Sequence, residues 1–220
     1  MRNKRNLAYM RRLLCCSVFI IVTIASHAQV KLGLQLNPTV SSNRFETLSD
    51  TVNISNNGSK LKFKFGPIVD IPITETYYFS TGILYAPKQA SLKVENRNTG
   101  VTTTELYNLQ YLQIPLALKL FTNEIALDTK LYFSLGTIAE IKIHEKADKK
   151  EYIAIENFSI VDVGLLLAAG VEYNIGLNTV LFGGLSYNRG LANAITDHIA
   201  LDEDISMKND LLSLDLGIKF

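Results

Sequence analysis

Two histidines are the residues of this sequence best suited to acid–base chemistry. His144 follows Glu140 and Lys142 at two-residue spacing, so a strand would place all three side chains on one face. A histidine beside a carboxylate can act as a general base, as a hydrolase at a membrane rim would require. No nucleophile lies at a matching spacing. We therefore interpret His144 as part of a solvated charge cluster and assign no catalytic residue.

The second histidine, His198, lies in the acidic segment TDHIALDEDISMKND. Clustered carboxylates are the ligand type that Ca²⁺ prefers, and here they belong to Asp197, Asp202, Glu203 and Asp204. The glycine turn and the ligand spacing of an EF-hand loop are missing. We therefore predict an exposed acidic loop that binds no metal, and the sequence suggests no other cofactor.

A third group of charged residues recurs on one face of several alternating segments. With both signs present, these side chains would either line a channel or pair with one another. If about eight strands close into a barrel, the lumen is only wide enough to be filled by side chains. We therefore predict a salt-bridged interior without sizeable conductance. The residues of this group are Lys31, Lys62, Lys64, Asp70, Lys119, Glu140, Lys142, Asp162, Glu172, Asp215 and Lys219.

The elements that must position these charges are strands. Apolar and polar residues alternate with period 2 throughout the chain after Gln29, which predicts about eight strands with one apolar face each. The facing of the segment 77–94 is ambiguous. The predicted short connections are 74–76, 122–129 and 176–178, and the long ones are 38–59, 95–104, 145–158 and 193–209. Short turns at one end and long loops at the other are typical of an outer-membrane barrel.

A soluble, calycin-like barrel would also show alternation, with its apolar face inside. The nearly charge-free apolar faces, the Gly- and Ser-rich polar faces and the strand lengths favour the membrane barrel. Aromatic residues near both strand ends favour it too, because membrane barrels carry two aromatic girdles. The predicted girdles are Tyr77, Phe79, Phe121, Tyr132, Phe133, Tyr173 and Phe220 at the short-turn end, and Phe63, Phe65, Tyr85, Tyr107, Phe158 and Tyr187 at the other. The predicted fold class is all-β: an eight-stranded antiparallel up-and-down transmembrane β-barrel.

The first 28 residues predict export. A basic, acid-free start is followed by an apolar run of 13 residues and the sequence SHA, the pattern of a signal peptide cleaved between Ala28 and Gln29. Both cysteines of the chain, Cys15 and Cys16, lie in this segment. Its removal takes five basic residues and changes the net charge from +1 to −4, which gives no electrostatic reason to expect nucleic acid as a partner. Residues 29–220 are predicted to form one barrel domain.

Three features resemble the PorT-like outer-membrane β-barrel proteins of Gram-negative bacteria. They are the run YLQIPLALKL (111–120), the run LSYNRGLANA (185–194) and a last strand that ends at an aromatic residue. The resemblance covers essentially the whole chain after the signal peptide. It rests on Pro115 within a Leu-rich strand and on the Tyr-x-Arg-Gly-Leu step that contains Tyr187, Arg189 and Gly190. It implies an eight-stranded barrel in the outer membrane, and one namesake member is linked to a secretion system.

We therefore expect a structural or interaction role, exerted through extracellular loops, as an accessory of protein secretion or envelope assembly. Two alternatives stay open: a barrel enzyme with an active site at the rim, and a narrow channel or small-ligand-binding barrel. The expected partners are outer-membrane lipid, the barrel-assembly machinery and secretion or envelope proteins. The terminal Phe220 resembles the signal that the assembly machinery reads, and its strand is expected to close the barrel against the first one.

Overall fold

The computed structural model describes residues 30–47, 52–97, 100–148, 155, 157–197 and 205–220. No helix in these ranges is long and apolar enough to cross a membrane. The predicted cleavage site at Ala28 and Gln29, and His198 with the acidic residues 202–204, lie outside the described residues. The strands are β1 (Lys31–Thr47), β2 (Val52–Asn56), β3 (Lys60–Pro72), β4 (Tyr77–Gly82), β5 (Leu84–Asn96), β6 (Thr102–Ala126), β7 (Thr129–Ala147), β8 (Asn157–Phe158), β9 (Val161–Asn174), β10 (Val180–Gly190), β11 (Ile195–Asp197) and β12 (Ile205–Lys219).

The strands form a closed ring in which every pairing is antiparallel. Following the ring, β1 pairs with β12, and β10, β9, β7 and β6 follow in order. β6 pairs with both β4 and β5, which continue one another, and β3 returns to β1. With β2 at the outer end of β3 and with β4 and β5 counted as one, the ring has eight strands. This confirms the predicted eight-stranded up-and-down barrel.

The last strand closes the barrel against the first, as predicted. Leu32 and Phe220 exchange backbone hydrogen bonds, with N···O distances of 3.1 and 2.7 Å. The pairing then continues upward to Thr47 opposite Ile205. Closure matters in a membrane because each unpaired backbone group in hydrocarbon costs several kcal/mol.

An apolar band of constant height surrounds the barrel. On β6 the outward side chains from Leu112 to Leu120 are all aliphatic, a span of nine residues. The outward residues from Leu32 to Val40 on β1, and from Leu212 to Phe220 on β12, give the same span. About nine to eleven tilted residues are needed to cross the hydrocarbon core. The apolar faces therefore point outward, towards lipid, as the alternation predicted.

Above this band the strands invert their polarity. On β6, Tyr107 and Leu109 point inward and are buried, whereas Gln110 points outward. On β12, Met207 is buried inside and Asp210 lies outside. A wall facing water on its outer side needs a polar exterior and an apolar interior, as any soluble sheet does. The barrel thus continues beyond the membrane as a soluble structure.

The strands extend well into the segments that were predicted to be loops. β1 continues to Thr47, β7 to Ala147, and β12 begins at Ile205. In the predicted long loop 95–104, β5 extends to Asn96 and β6 begins at Thr102, while Gly100 has φ = 66°. The predicted connection 122–129 is likewise mostly strand, closed by a two-residue turn at Leu127–Asp128. These predictions were wrong because a strand outside the membrane carries polar residues on its outer face, so its sequence resembles that of a loop.

The predicted aromatic girdles are confirmed only in part. Tyr77, Tyr173 and Phe220 point outward at the short-turn end, between 42% and 60% exposed. Four of the predicted girdle residues are instead buried inside the barrel: Phe121, Tyr132, Tyr107 and Phe158. They occupy inward positions of their strands, because the position of a residue along a strand does not determine which way its side chain faces.

Candidate functional site: the barrel lumen

The lumen near the short turns is crossed by four charged side chains, which we call the periplasmic charge cluster. Its members are Asp70 on β3, Lys119 on β6, Glu172 on β9 and Lys219 on β12. Lys119 Nζ lies 3.1 Å from both Asp70 Oδ2 and Glu172 Oε1, and Lys219 Nζ contacts the same two oxygens. Each ammonium therefore bridges two carboxylates from opposite walls. Ser80 also donates to Asp70, at 2.6 Å.

Aromatic rings surround the two lysines of this cluster. Lys119 Nζ lies 4.2 Å from the centre of the Tyr132 ring, and Lys219 Nζ lies 4.8 Å from that of Phe182. Phe121 packs against Tyr132 with ring centres 6.2 Å apart. A cation over an aromatic face is attracted by the ring quadrupole. Rings and ion pairs together fill the cross-section of the barrel at this height.

A second ionic group, the outer charge cluster, consists of Lys88, Glu140 and Asp162. Lys88 Nζ bonds Glu140 and lies 3.7 Å from Asp162 Oδ2. Amides complete the network: Gln113 and Asn188 donate to Glu140, and Asn209 donates to Asp162. Each of the three charged side chains is at most 2% exposed. The six residues come from β5, β6, β7, β9, β10 and β12, so this network also spans the lumen.

Between the two clusters lies a central cavity of about 70 Å³. Lys64 lines it and is 5% exposed, and among the described residues no carboxylate lies within ion-pair distance of its ammonium group. Asp215 lines the same cavity and accepts hydrogen bonds from Asn37 and from Ser186, the latter at 2.8 Å. A volume of this size holds a few water molecules, far less than a hydrated channel needs.

Above the outer charge cluster the lumen is filled by an apolar group, which we call the mouth core. Tyr107 and Phe158 stack edge to face, with ring centres 5.2 Å apart. Lys142 Nζ bonds the Phe158 carbonyl and Glu145 Oε2, the latter at 2.6 Å, and so connects β8 to β7. The buried members are Ile54, Ala90, Leu92, Tyr107, Leu109, Tyr111, Ile155, Phe158, Ala194, Ile195 and Met207.

Most of the predicted inward charges are buried in the lumen. Those of the two clusters, together with Lys64 and Asp215, are at most 8% exposed. Lys31, Lys62 and Lys142 lie nearer the strand ends and are only partly buried. The sequence does not indicate that Lys88 points into the lumen, because its strand carries small and polar residues on both faces.

His144 does not lie beside Glu140 on the inner face, and this prediction was wrong. Lys142 lies opposite Tyr111, but His144 lies opposite Gln110, so Ile143 is an extra residue. Such a bulge reverses the facing of everything that follows it. His144 consequently points outward and is exposed. Among the described residues, no group of three or more His, Cys, Asp or Glu side chains could hold a metal ion.

The residues predicted to act in structure and assembly lie in the wall and at its edges. Phe220 points outward at the lower edge of the apolar band and is 60% exposed. Tyr187 and Arg189 point outward near the upper edge, while Gly190 points inward and accepts a 2.8 Å hydrogen bond from Arg44. Pro115 points into the central cavity. Their predicted role in assembly stays a prediction.

A closed eight-stranded ring with an outward apolar band and a charged, filled lumen defines an outer-membrane β-barrel, and it places the protein in the outer membrane. The sequence agrees: residues 24–196 match the model of the outer membrane protein β-barrel domain. The chain belongs to that family.

Solved structures support the same fold. The outer membrane protein OprG from Pseudomonas aeruginosa aligns over 86% of this chain and 95% of its own, with 12% identity and a TM-score of 0.59. The outer membrane protein AlkL, solved in DMPC bilayers, aligns over 87% and 90%, with 14% identity and a TM-score of 0.51. At these identities the likeness concerns the fold alone. A search of curated protein sequences found no significant match.

Proposed function

We propose that this protein is a non-enzymatic, axially sealed barrel whose extracellular end binds another component of the cell envelope. The observation that carries the proposal is the barrel extension above the apolar band. On β6 it runs from Thr102 to Gln110, about 30 Å along the strand and about 20 Å in height at the usual tilt. A wall of paired strands packed on the mouth core offers a partner a rigid surface. Binding to such a surface costs less conformational entropy than binding to flexible loops.

The filled lumen supports an interaction role over transport along the axis. An ion crossing the barrel would have to pass the mouth core and both charge clusters. Opening either cluster would separate buried ions from their partners, which costs about 3–5 kcal/mol per broken pair. We infer that the wild-type barrel shows no stable conductance in planar lipid bilayers. A reproducible single-channel current would favour the narrow-channel alternative instead.

The partner class that we propose is a component of protein secretion or envelope assembly, as the PorT-like resemblance implies. The barrel-assembly machinery is the proposed partner during biogenesis. The rim-enzyme alternative loses support because His144 points away from Glu140. Hydrolysis of lipid A or peptide by the purified barrel, abolished by His144→Ala, would nevertheless revive it.

Site-specific photo-crosslinking in intact cells tests the interaction. A photoreactive residue at Thr104, exposed on the extension, is expected to give a discrete protein adduct that contains a secretion or envelope-assembly component. The matched control is Leu116 on the same strand, which points outward within the apolar band and should yield no such adduct. Absence of an adduct at Thr104 and at other outward positions of the extension, such as Lys93 and Lys208, would contradict the proposal.

A further inference from the structure

The barrel wall contains a local defect at Ile83, the residue that separates β4 from β5. Ile68 of β3 lies opposite Gly82, so the next position of β3, Pro67, lies opposite Ile83. The Ile83 N–H donates to the Pro67 carbonyl at 3.0 Å. In an antiparallel ladder such a residue pair exchanges two hydrogen bonds. Proline has no N–H, so Pro67 cannot return a bond to the Ile83 carbonyl.

The same defect occurs on the other side of this strand, one residue earlier. Successive residues of a strand direct their N–H and C=O groups to opposite neighbouring strands. Since the groups of Ile83 point towards β3, those of Gly82 point towards β6. Thr81 lies opposite Leu116, which places Gly82 opposite Pro115. Pro115 likewise lacks the N–H that would donate to the Gly82 carbonyl. Two successive carbonyls, one facing each neighbouring strand, therefore lose their ladder donors to two prolines.

This position is an unfavourable one for unpaired carbonyls. Ile83 and Leu116 point outward in the apolar band and are 55% and 43% exposed, so the defect lies at the depth of the lipid chains. Prolines are normally confined to edge strands or bulges, because a central strand needs both of its ladders. No water is available from the lipid side to satisfy a freed carbonyl. Ladder hydrogen bonds are thus missing on both sides of Gly82 and Ile83, and we call this stretch of wall, between Pro67 and Pro115, the proline seam.

The central cavity lies directly behind the proline seam. Its lining includes Leu84 and Pro115 at the seam itself, and Ala117 and Ile138 beside it. The outer charge cluster lies above the cavity and the periplasmic charge cluster lies below it, so an axial route would have to pass buried ion pairs. Two ladder hydrogen bonds are missing from the wall on this side of the cavity.

We propose that the proline seam is a lateral portal through which a small, uncharged, membrane-soluble molecule reaches the central cavity. A ligand with a hydroxyl group can donate to the Gly82 or Ile83 carbonyl as it passes. The apolar body of the ligand then meets Leu84, Ala117 and Ile138. This inference does not rest on the proposed interaction role, because it concerns the wall and not the extracellular end.

Reactivity of a single buried thiol tests the portal in lipid vesicles. The chain after residue 28 contains no cysteine, so Ala117→Cys, at a position 2% exposed, provides a unique thiol in the cavity. The probes are methyl methanethiosulfonate, which is neutral and enters lipid, and its charged sulfonatoethyl analogue. We expect the neutral reagent to modify the thiol and the charged reagent to react at least about tenfold more slowly, since charge is excluded from hydrocarbon.

Restoring the missing donors should close the portal. Adding Pro67→Val and Pro115→Val to the cysteine variant is expected to slow the neutral reagent at least about tenfold, the effect of two regained ladder hydrogen bonds on a rare open state. Pro38→Val, two strands away in β1, is the control and should leave the rate unchanged. Heat-dependent gel mobility verifies that each variant is folded, and Pro115→Val alone serves if the double replacement does not fold.

Three outcomes would overturn the portal. Equal reaction with both reagents would mean that the cavity is reached through water along the axis. An unchanged rate after restoring both donors would mean that the seam plays no part in access. Absence of reaction with either reagent, in protein whose thiol reacts after unfolding, would mean that the cavity is closed to the bilayer.

Discussion

Removing one lysine from the periplasmic charge cluster should destabilise the barrel far more than removing a lysine from an exposed ion pair. In Lys119→Met the two contacts of 3.1 Å to Asp70 and Glu172 are lost. At an effective dielectric constant of about 20 each contact is worth about 5 kcal/mol. Most of that sum is offset by two costs that disappear with the ammonium group. These are the cost of burying its charge away from water and its repulsion of Lys219. The expected net loss is about 3–5 kcal/mol, since two carboxylates are left with one lysine.

The design that isolates this effect is a double variant in which the charge balance is restored. Lys119→Met combined with Glu172→Gln restores a neutral cluster, in which Asp70 still pairs with Lys219, and should recover at least half of the loss. Lys130→Met is the control, because its 4.0 Å pair with Glu124 is 42% and 54% exposed and is worth at most about 0.5–1 kcal/mol. Urea titration in lipid vesicles, followed by heat-dependent gel mobility, measures all three.

Two results would refute this reasoning. A loss below about 1 kcal/mol for Lys119→Met would show that water enters the cluster and screens its charges, because only an exposed pair is that weak. A double variant no more stable than the single one would show that the loss arises from packing, with charge balance playing no part.

Three further predictions follow from the same structure. Leu116→Arg, in the middle of the apolar band, should cost about 2–4 kcal/mol of folding free energy, whereas Gln110→Arg above the band should cost at most about 1 kcal/mol. Equal costs for the two variants, measured by unfolding in vesicles, would contradict the assigned membrane depth. Gly170→Val should cost about 1–3 kcal/mol or more, because a β-carbon there meets the Tyr132 ring, and Gly170→Ala should cost less in the same titration. Phe220→Ala should lower the folded fraction in the outer membrane, measured by heat-dependent gel mobility, while Phe220→Tyr should not.

The fold could be predicted from the sequence because the lipid-facing strand segments obey one rule. From Leu112 to Leu120 every second residue is aliphatic and the residues between them are small or polar, with Lys119 as the only charge. From Leu212 to Ile218 every second residue is again aliphatic, with Asp215 as the only charge between them, and Lys219 and Phe220 follow. Lipid surrounds the outer face and a crowded polar lumen lies inside. Such a segment can therefore adopt only one orientation, with its aliphatic side chains pointing outward. The number of strands and the closing pair follow from it.

The lumen could be predicted only in part, because its arrangement depends on bulges and on strand register, which the alternation of polar and apolar residues does not reveal. A single extra residue at Ile143 turns His144 outward, and no residue type in IKIHEK signals this bulge. The pairing of Lys88 with Glu140 depends on strands 52 residues apart in the chain. Which acid each lysine meets is decided by shear and register around the ring, and those are properties of the closed barrel.

The errors at the outer end share one physical cause, and that cause locates the membrane. The facing of a strand is geometric and continues unchanged along it, but the polarity of a face depends on its solvent. On β12 the outward residues change from Leu212 to Asp210, and the laterally paired positions on β10 and β1 are Arg189 and Ser42. All three are polar, and each lies two residues above an outward residue of the apolar band: Leu212, Tyr187 or Val40. This row therefore marks the outer hydrocarbon boundary, with Tyr187 just beneath it and Arg189 at headgroup level, where aromatic and basic side chains are most favourable.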